Sequence, residues 1–192
     1  ITAGGDYWAR FGEPSPLAHY WSLAVEEQFY LVWPALLLML TRRRAVHRDA
    51  WVGGVSAVLA AASTAFMVAT FDAADPTATY MHSLARAHSL LIGVAAAALT
   101  AGAGRRLAVA RAARWGWPGA ALVAVAIVLA SSERSAWLFS WGFPAFALAT
   151  AVVVVAVAGG GRTWLDAAVP RWIGERSYGI YLWHWPVILL LR

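Results

Sequence analysis

The sequence predicts an all-α fold, a polytopic bundle of about six transmembrane helices with the last one incomplete. Three observations carry that expectation. Hydrophobic residues make up 61% of the 192 residues and charged residues 13%, against roughly 45–50% and about 25% in soluble domains. Uncharged runs near 20 residues recur, the length needed to cross ~30 Å of hydrocarbon at about 1.5 Å per residue. The loops between those runs alternate in charge. Disorder is excluded by this composition, and an ordinary soluble globule is not expected. A mean hydropathy of +0.61 and twelve Trp point the same way.

Taken in order, the chain opens on Ile1–Tyr20, a polar Gly- and Pro-containing loop with Asp6, Tyr7, Trp8, Arg10, Glu13 and His19. No secretory leader is visible in it. The first span is Trp21–Leu40, apolar apart from Glu26, Glu27 and Gln28, with Pro34 expected to kink it. Trp51–Phe71 is uncharged, Ala87–Gly104 is uncharged apart from His88, and Trp115–Ser132 is uncharged. Ser135–Gly161 is uncharged but contains Pro144. Ser177–Leu191 is apolar apart from His184, short, and has Ser177 as an expected helix N-cap. Strands are not expected, because a membrane segment must satisfy its backbone internally. Both ends read as cut from a longer chain.

Every cation among the fifteen Lys and Arg positions is Arg, and the net charge is +5. A basic balance can signal nucleic acid. Here the arginines sit in every second loop: Arg42, Arg43, Arg44 and Arg48; Arg105, Arg106, Arg111 and Arg114; Arg162, Arg171 and Arg176. The positive-inside rule makes these loops cytoplasmic. It places Ile1–Tyr20, the Asp72/Asp75 loop and Glu133/Arg134 outside. The expected protein is therefore multi-pass and integral to a membrane, with the bilayer and not nucleic acid as its partner. With no Cys, disulfides and thiolate metal sites are excluded, and no His or acid pair has metal-ligand spacing.

Ionisable groups inside a membrane are costly and so informative. Ser22, Glu26 and Tyr30 share one helix face at i, i+4, i+8. Glu27 points about 100° away, toward Leu23 and Leu31. The two acids read as a site-lining pair, as a structural ion pair, or as groups in the wet headgroup layer. Arg86 reads as an anion or carboxylate partner, or as a snorkelling side chain. His88 reads as an interfacial polar residue. His184, with Tyr181 and Tyr178 before it at three-residue steps, reads as a packing residue or a general base.

The segment Ser22–Pro34, SLAVEEQFYLVWP, resembles the SLSVEEQFYLLWP signature of the acyltransferase-3 family of membrane O-acyltransferases, among them the bacterial O-antigen and peptidoglycan O-acetylases. Ser177–Val187, SYGIYLWHWPV, resembles the family's late-helix SYGLYLWHWPV. Arg86–Gly93, RAHSLLIG, is similar to its RADSLLIG-type segment, with His88 in place of the Asp. The resemblance spans the chain and implies that residues 1–192 are the C-terminal part of the family's membrane domain. The early helices with the family's Arg and presumed catalytic His, and its Arg-x-x-Arg loop, have no match.

The reaction the resemblance implies moves an acyl group, typically acetyl, from acyl-CoA to a hydroxyl of a cell-surface carbohydrate or glycolipid. Acyl-CoA is a donor substrate here, and no bound cofactor is implied. Glu26 and Glu27 are the candidate catalytic acids, and Tyr30, Arg86, Tyr178, Tyr181 and His184 the candidate substrate-binding residues. Arg42–Arg44 and Arg105–Arg106 are candidates for attracting the coenzyme A phosphates. Two other readings stand beside this one. Intramembrane Glu, Arg and His also mark transporters and flippase-like carriers, although no internal repeat is present. A truncated, inactive remnant of the transferase is the third.

Overall fold

The structure, a computed structural model, describes residues 20–42, 47–101, 103–130, 135–158 and 166–191. Among them every regular element is helical. The helices are α1 (Trp21–Thr41), α2 (Arg48–Thr70), α3 (Pro76–Met81), α4 (Ser83–Thr100), α5 (Ala103–Ala130), α6 (Phe143–Ala158) and α7 (Ala168–Leu190), with a π-helical turn at Leu138–Gly142 leading into α6.

Each expected span is filled by a helix, but the bounds differ from expectation. Among the described residues three helical stretches are long and apolar enough to cross a bilayer: Arg48–Thr70, Ser83–Thr100 and Leu138–Ala158. The apolar part of α5, Arg114–Ala130, is shorter. Glu26, Glu27 and Gln28 dilute α1, and Arg171, Glu175 and Arg176 dilute α7. Two expected loops are corrected. The arginines from Arg105 to Arg114 lie inside α5, because an Ala- and Arg-rich stretch has high helix propensity whether or not lipid surrounds it. Ser177 is not an N-cap: α7 begins nine residues earlier, and the Ser177 hydroxyl donates to the Gly174 carbonyl at 2.9 Å. The loop expected between the second and third spans contains α3, opened by Pro76 at its first position and capped by Asp75, whose Oδ1 accepts from the Ala78 amide at 3.2 Å.

Packing follows the small residues. Val52, Ser56, Ala60, Ser63 and Met67 form the buried stripe of α2, which lies along α4. A Cβ on Gly53 would stand 3.2 Å from Ala98 Cβ, so a small residue at that point sets the closeness of the pair. The start of α4 meets the end of α2, since Ser63 bonds Leu84 and His88. These two helices are therefore antiparallel. Helix α1 runs the same way as α4, with Trp21 against Tyr80 at one end and Trp33 in one core cluster with Leu91 and Ala98 further along. One core gathers Trp33, Val52, Ala60, Leu91 and Ala98. A second gathers Met67, Ala85, Ile127, Leu138 and Phe139 beneath the start of α4.

Outside these cores the large apolar side chains face outward: Leu31 is 79% exposed, Leu122 70% and Leu129 81%. Water would not tolerate such continuous apolar surface, and lipid does. Helix α7 buries none of its residues.

Candidate functional site

Two local features build one polar corner of the bundle. His82 ends α3 and caps α4, its Nδ1 accepting from the Leu84 amide at 3.2 Å. That tight join sets Tyr80 and Arg86 side by side. The Arg86 guanidinium lies 4.9 Å from the Tyr80 ring centre and 4.8 Å from that of Phe143. Phe143 is held in turn by Phe139, edge to face at 5.3 Å. Two aromatic faces thus fix a cation at the start of a span, a cation–π arrangement strengthened where water is scarce. Among the described residues no carboxylate pairs with Arg86; the ion pairs there are Arg171–Glu175 and Arg176–Glu175 on the surface of α7.

From Arg86 a groove of about 500 Å³ runs between α4 and α6. Its polar end holds Arg86, His88 and Ser89. Its walls are otherwise almost wholly small and apolar, with Gly93, Ala97 and Val154 among them, and it continues to Thr100 and Ala158 at the far end. Since Arg86 meets the first residue of α6 and the groove ends at the last, α4 and α6 run parallel. The volume lies within the range of small-molecule sites.

His88, expected as an interfacial polar residue, is buried inside the bundle. It is 1% exposed and held between α2 and α4. Its ring Nδ1 faces the Ala85 carbonyl at 2.7 Å. A carbonyl only accepts, so Nδ1 carries the proton and Nε2 the lone pair. Its amide donates to the Ser63 hydroxyl at 2.8 Å, and that hydroxyl donates to the Leu84 carbonyl at 2.6 Å. Ser63 is thereby inserted between the two partners of one rung of α4.

The second feature joins the chain's two polar-in-apolar motifs. The Ser22 hydroxyl hydrogen-bonds the Tyr181 hydroxyl, linking α1 to α7. His184 lies almost one turn beyond Tyr181, its ring 5.3 Å from the Tyr181 ring and its Nδ1 2.5 Å from the Tyr181 carbonyl. Here too the ring Nδ1 is the donor. Glu26 is one turn along α1 from Ser22 on the same face. Trp21, next to Ser22, meets Tyr80 edge-on at 5.0 Å. The motif contact and the Arg86 corner are therefore continuous.

The structure brings together Ser22, Tyr181, His184 and, through Trp21 and Tyr80, Arg86. It does not enclose Glu26, Glu27, Tyr30 or Tyr178, all of which are exposed. Arg42 and Arg105 lie at the opposite end of the bundle from Arg86. The expected outer-loop residues Asp6 to His19, together with Arg43, Arg44 and the side chain of Arg106, fall outside the described residues. Among the described residues no group of three or more His, Cys, Asp or Glu is placed to hold a metal.

Sequence reasoning missed Tyr80, Phe143 and Ser63. A signal existed for Phe143, which stands against Pro144 where the fifth apolar run is interrupted. None existed for Ser63, a single hydroxyl in an Ala-rich helix.

The family model described as "Acyltransferase domain" matches residues 1–192. The peptidoglycan O-acetyltransferase OatA of Listeria monocytogenes is 32% identical over 193 residues, covering 96% of this chain and 30% of the relative. The O-acetyltransferase OatA of Staphylococcus aureus is 28% identical over 203 residues, covering 100% of this chain and 32% of the relative. The chain thus spans about a third of the length of these curated relatives. No solved structure matches it.

Proposed function

The chain belongs to the acyltransferase domain family, and from that premise we propose that it supplies part of the membrane domain of an O-acetyltransferase. Acetyl-CoA is the donor and a hydroxyl of a cell-envelope carbohydrate, such as peptidoglycan, the acceptor. The observation that carries this reading is the Ser22–Tyr181 contact, which joins two motifs 159 residues apart in sequence at one corner. Motifs that served only to cross lipid would have no reason to meet through their polar side chains.

In the transfer the acceptor oxygen attacks the acetyl carbonyl, the C–S bond of the thioester breaks, and the hydroxyl proton passes to a base and then to the departing thiolate. Glu26 is the proposed base, standing one turn from Ser22, with Glu27 as the second acid of the site. Tyr30, Tyr178 and Tyr181 supply hydroxyl donors for the developing oxyanion or for the sugar. His184 orients the acceptor hydroxyl. Arg86 takes an anionic group of substrate. The Arg42/Arg105 end is cytoplasmic, and the Arg86 corner lies at the outer face.

The test uses membranes containing the protein, radiolabelled acetyl-CoA and isolated cell-envelope carbohydrate. Label is expected to move to the carbohydrate. Glu26→Gln is expected to lower the rate by about 10²–10⁴-fold, the span of a positioned general base, while inserting normally. No transfer by well-inserted wild-type protein would overturn the acyltransferase reading. Undiminished transfer by both Glu26→Gln and Glu27→Gln would remove the two acids from the mechanism.

A further inference from the structure

The groove between α4 and α6 has a shape and charge pattern that transfer chemistry does not require. One end is a cation, Arg86, fixed between the rings of Tyr80 and Phe143 and paired with no carboxylate among the described residues. Beyond His88 and Ser89 the lining is mostly small and apolar, with Phe146 and Thr150 on the α6 wall, down to Thr100 and Ala158. Arg86 is the fourth residue of α4, which places the guanidinium about one turn inside the helix, at headgroup depth. From there to Thr100 the groove descends ~21 Å at the α-helical rise, through the hydrocarbon layer.

Both walls belong to stretches that qualify as membrane spans, so bilayer lipid is present at this surface at high concentration. We infer that the groove is a binding site for an anionic phospholipid, its phosphate on Arg86 and one acyl chain laid along α4 and α6. Charge complementarity selects the head, because a guanidinium in low dielectric favours a phosphate over a neutral group. The chain is selected by the small residues, which leave a channel where larger ones would close it. Gly93 is the clearest case, since a Cβ built there meets no atom within 4 Å. The lipid would take the Arg86 that the proposed function gives to an anionic group of substrate, but the site uses neither Glu26 nor the α1–α7 contact, so failure of lipid binding and failure of acyl transfer are read separately.

The experiment is native mass spectrometry of the purified protein, delipidated and then offered phosphatidylglycerol and phosphatidylcholine of the same long chains in competition. Wild-type protein is expected to retain phosphatidylglycerol preferentially. Arg86→Gln is expected to cut that preference by about tenfold, the equivalent of one charge-assisted hydrogen bond. Gly93→Leu fills the channel from a position with open space and improves helix propensity, so it should lower retention of both lipids without lowering thermal stability. Dihexanoyl phosphatidylglycerol, with the same head and short chains, should be held much more weakly than the long-chain lipid. Equal retention of the short-chain lipid would leave a free anion on Arg86 and overturn the proposal. So would a preference that survives both Arg86→Gln and Gly93→Leu.

Discussion

Ser56 and Ser63 stand about two turns apart on the buried face of α2, yet they hold different things. The Ser56 hydroxyl donates to the Val52 carbonyl of its own helix at 2.7 Å, a group already satisfied by the helical ladder. Ser63 instead links Leu84 and His88 of the neighbouring helix. Replacing Ser56 with Ala removes one bond and leaves no orphan. Replacing Ser63 with Ala strips the buried His88 amide and the part-buried Leu84 carbonyl of their partner, a loss of about 1–3 kcal/mol. Thermal unfolding in detergent should therefore show Ser63→Ala clearly below wild type and Ser56→Ala close to it. Equal midpoints for the two variants would mean that the α4 rung closes on itself when the hydroxyl is gone. At this scale the sequence was legible where charge met lipid. Arg86 and His184 announce themselves by being costly in a membrane. His88 was visible for the same reason, but its surroundings were not, because burial against α2 depends on a tertiary contact 25 residues away. Tyr80 was invisible as a partner of Arg86, since only the join between α3 and α4 sets the two side by side.

Among the elements, the π-helical turn at Leu138–Gly142 is the one that positions part of the site, because it delivers Phe139 and Phe143 to the Arg86 corner. Its geometry rests on Gly142. A Cβ there would come within 2.8 Å of Trp137 Cζ3 and 2.9 Å of Leu138 Cδ1. Both belong to packed side chains, Leu138 being buried and Trp137 against Trp141. Gly142→Ala is therefore expected to destabilise by about 1–3 kcal/mol, the usual cost of overpacking, despite the better helix propensity of Ala. A thermal midpoint at or above wild type would show that the turn relaxes to regular helix without strain. The π turn itself could not be read from the sequence, although Pro144 marked the place: a missing amide disturbs the ladder there, and packing decides how. Helix existence was legible throughout from run length. Helix bounds were not, and the errors share one cause. Apolarity reports where lipid is, whereas Arg105 to Arg114 and Arg171 to Arg176 continue as helix on good propensity, with Arg171–Glu175 an i,i+4 pair at 3.0 Å. That pair is exposed and adds little stability.

For the whole molecule, the arrangement of charge along the bundle makes a claim that the fold alone does not. His47, Arg48 and Arg105 lie at one end and Asp72 and Asp75 at the other, beside the Arg86 corner. An Arg costs roughly 2.5–3.5 kcal/mol at the centre of a spanning helix, so clustered arginines resist translocation and should remain cytoplasmic. The acetyl donor and the acceptor carbohydrate would then approach from opposite ends of the bundle. Because the chain contains no Cys, single cysteines can report this directly. His47→Cys and Ala73→Cys change no formal charge at pH 7, and both positions are exposed. A membrane-impermeant maleimide should label Ala73→Cys in intact cells or right-side-out vesicles and reach His47→Cys only after permeabilisation. The opposite pattern would invert the protein and place the Arg86 corner on the donor side, where an anionic group on Arg86 would be read as part of coenzyme A rather than of the acceptor or a lipid of the outer leaflet. Labelling of both positions from one side would mean that α2 does not cross the membrane. That result would remove the physical basis for reading the exposed apolar faces of α2, α4 and α6 as lipid-facing.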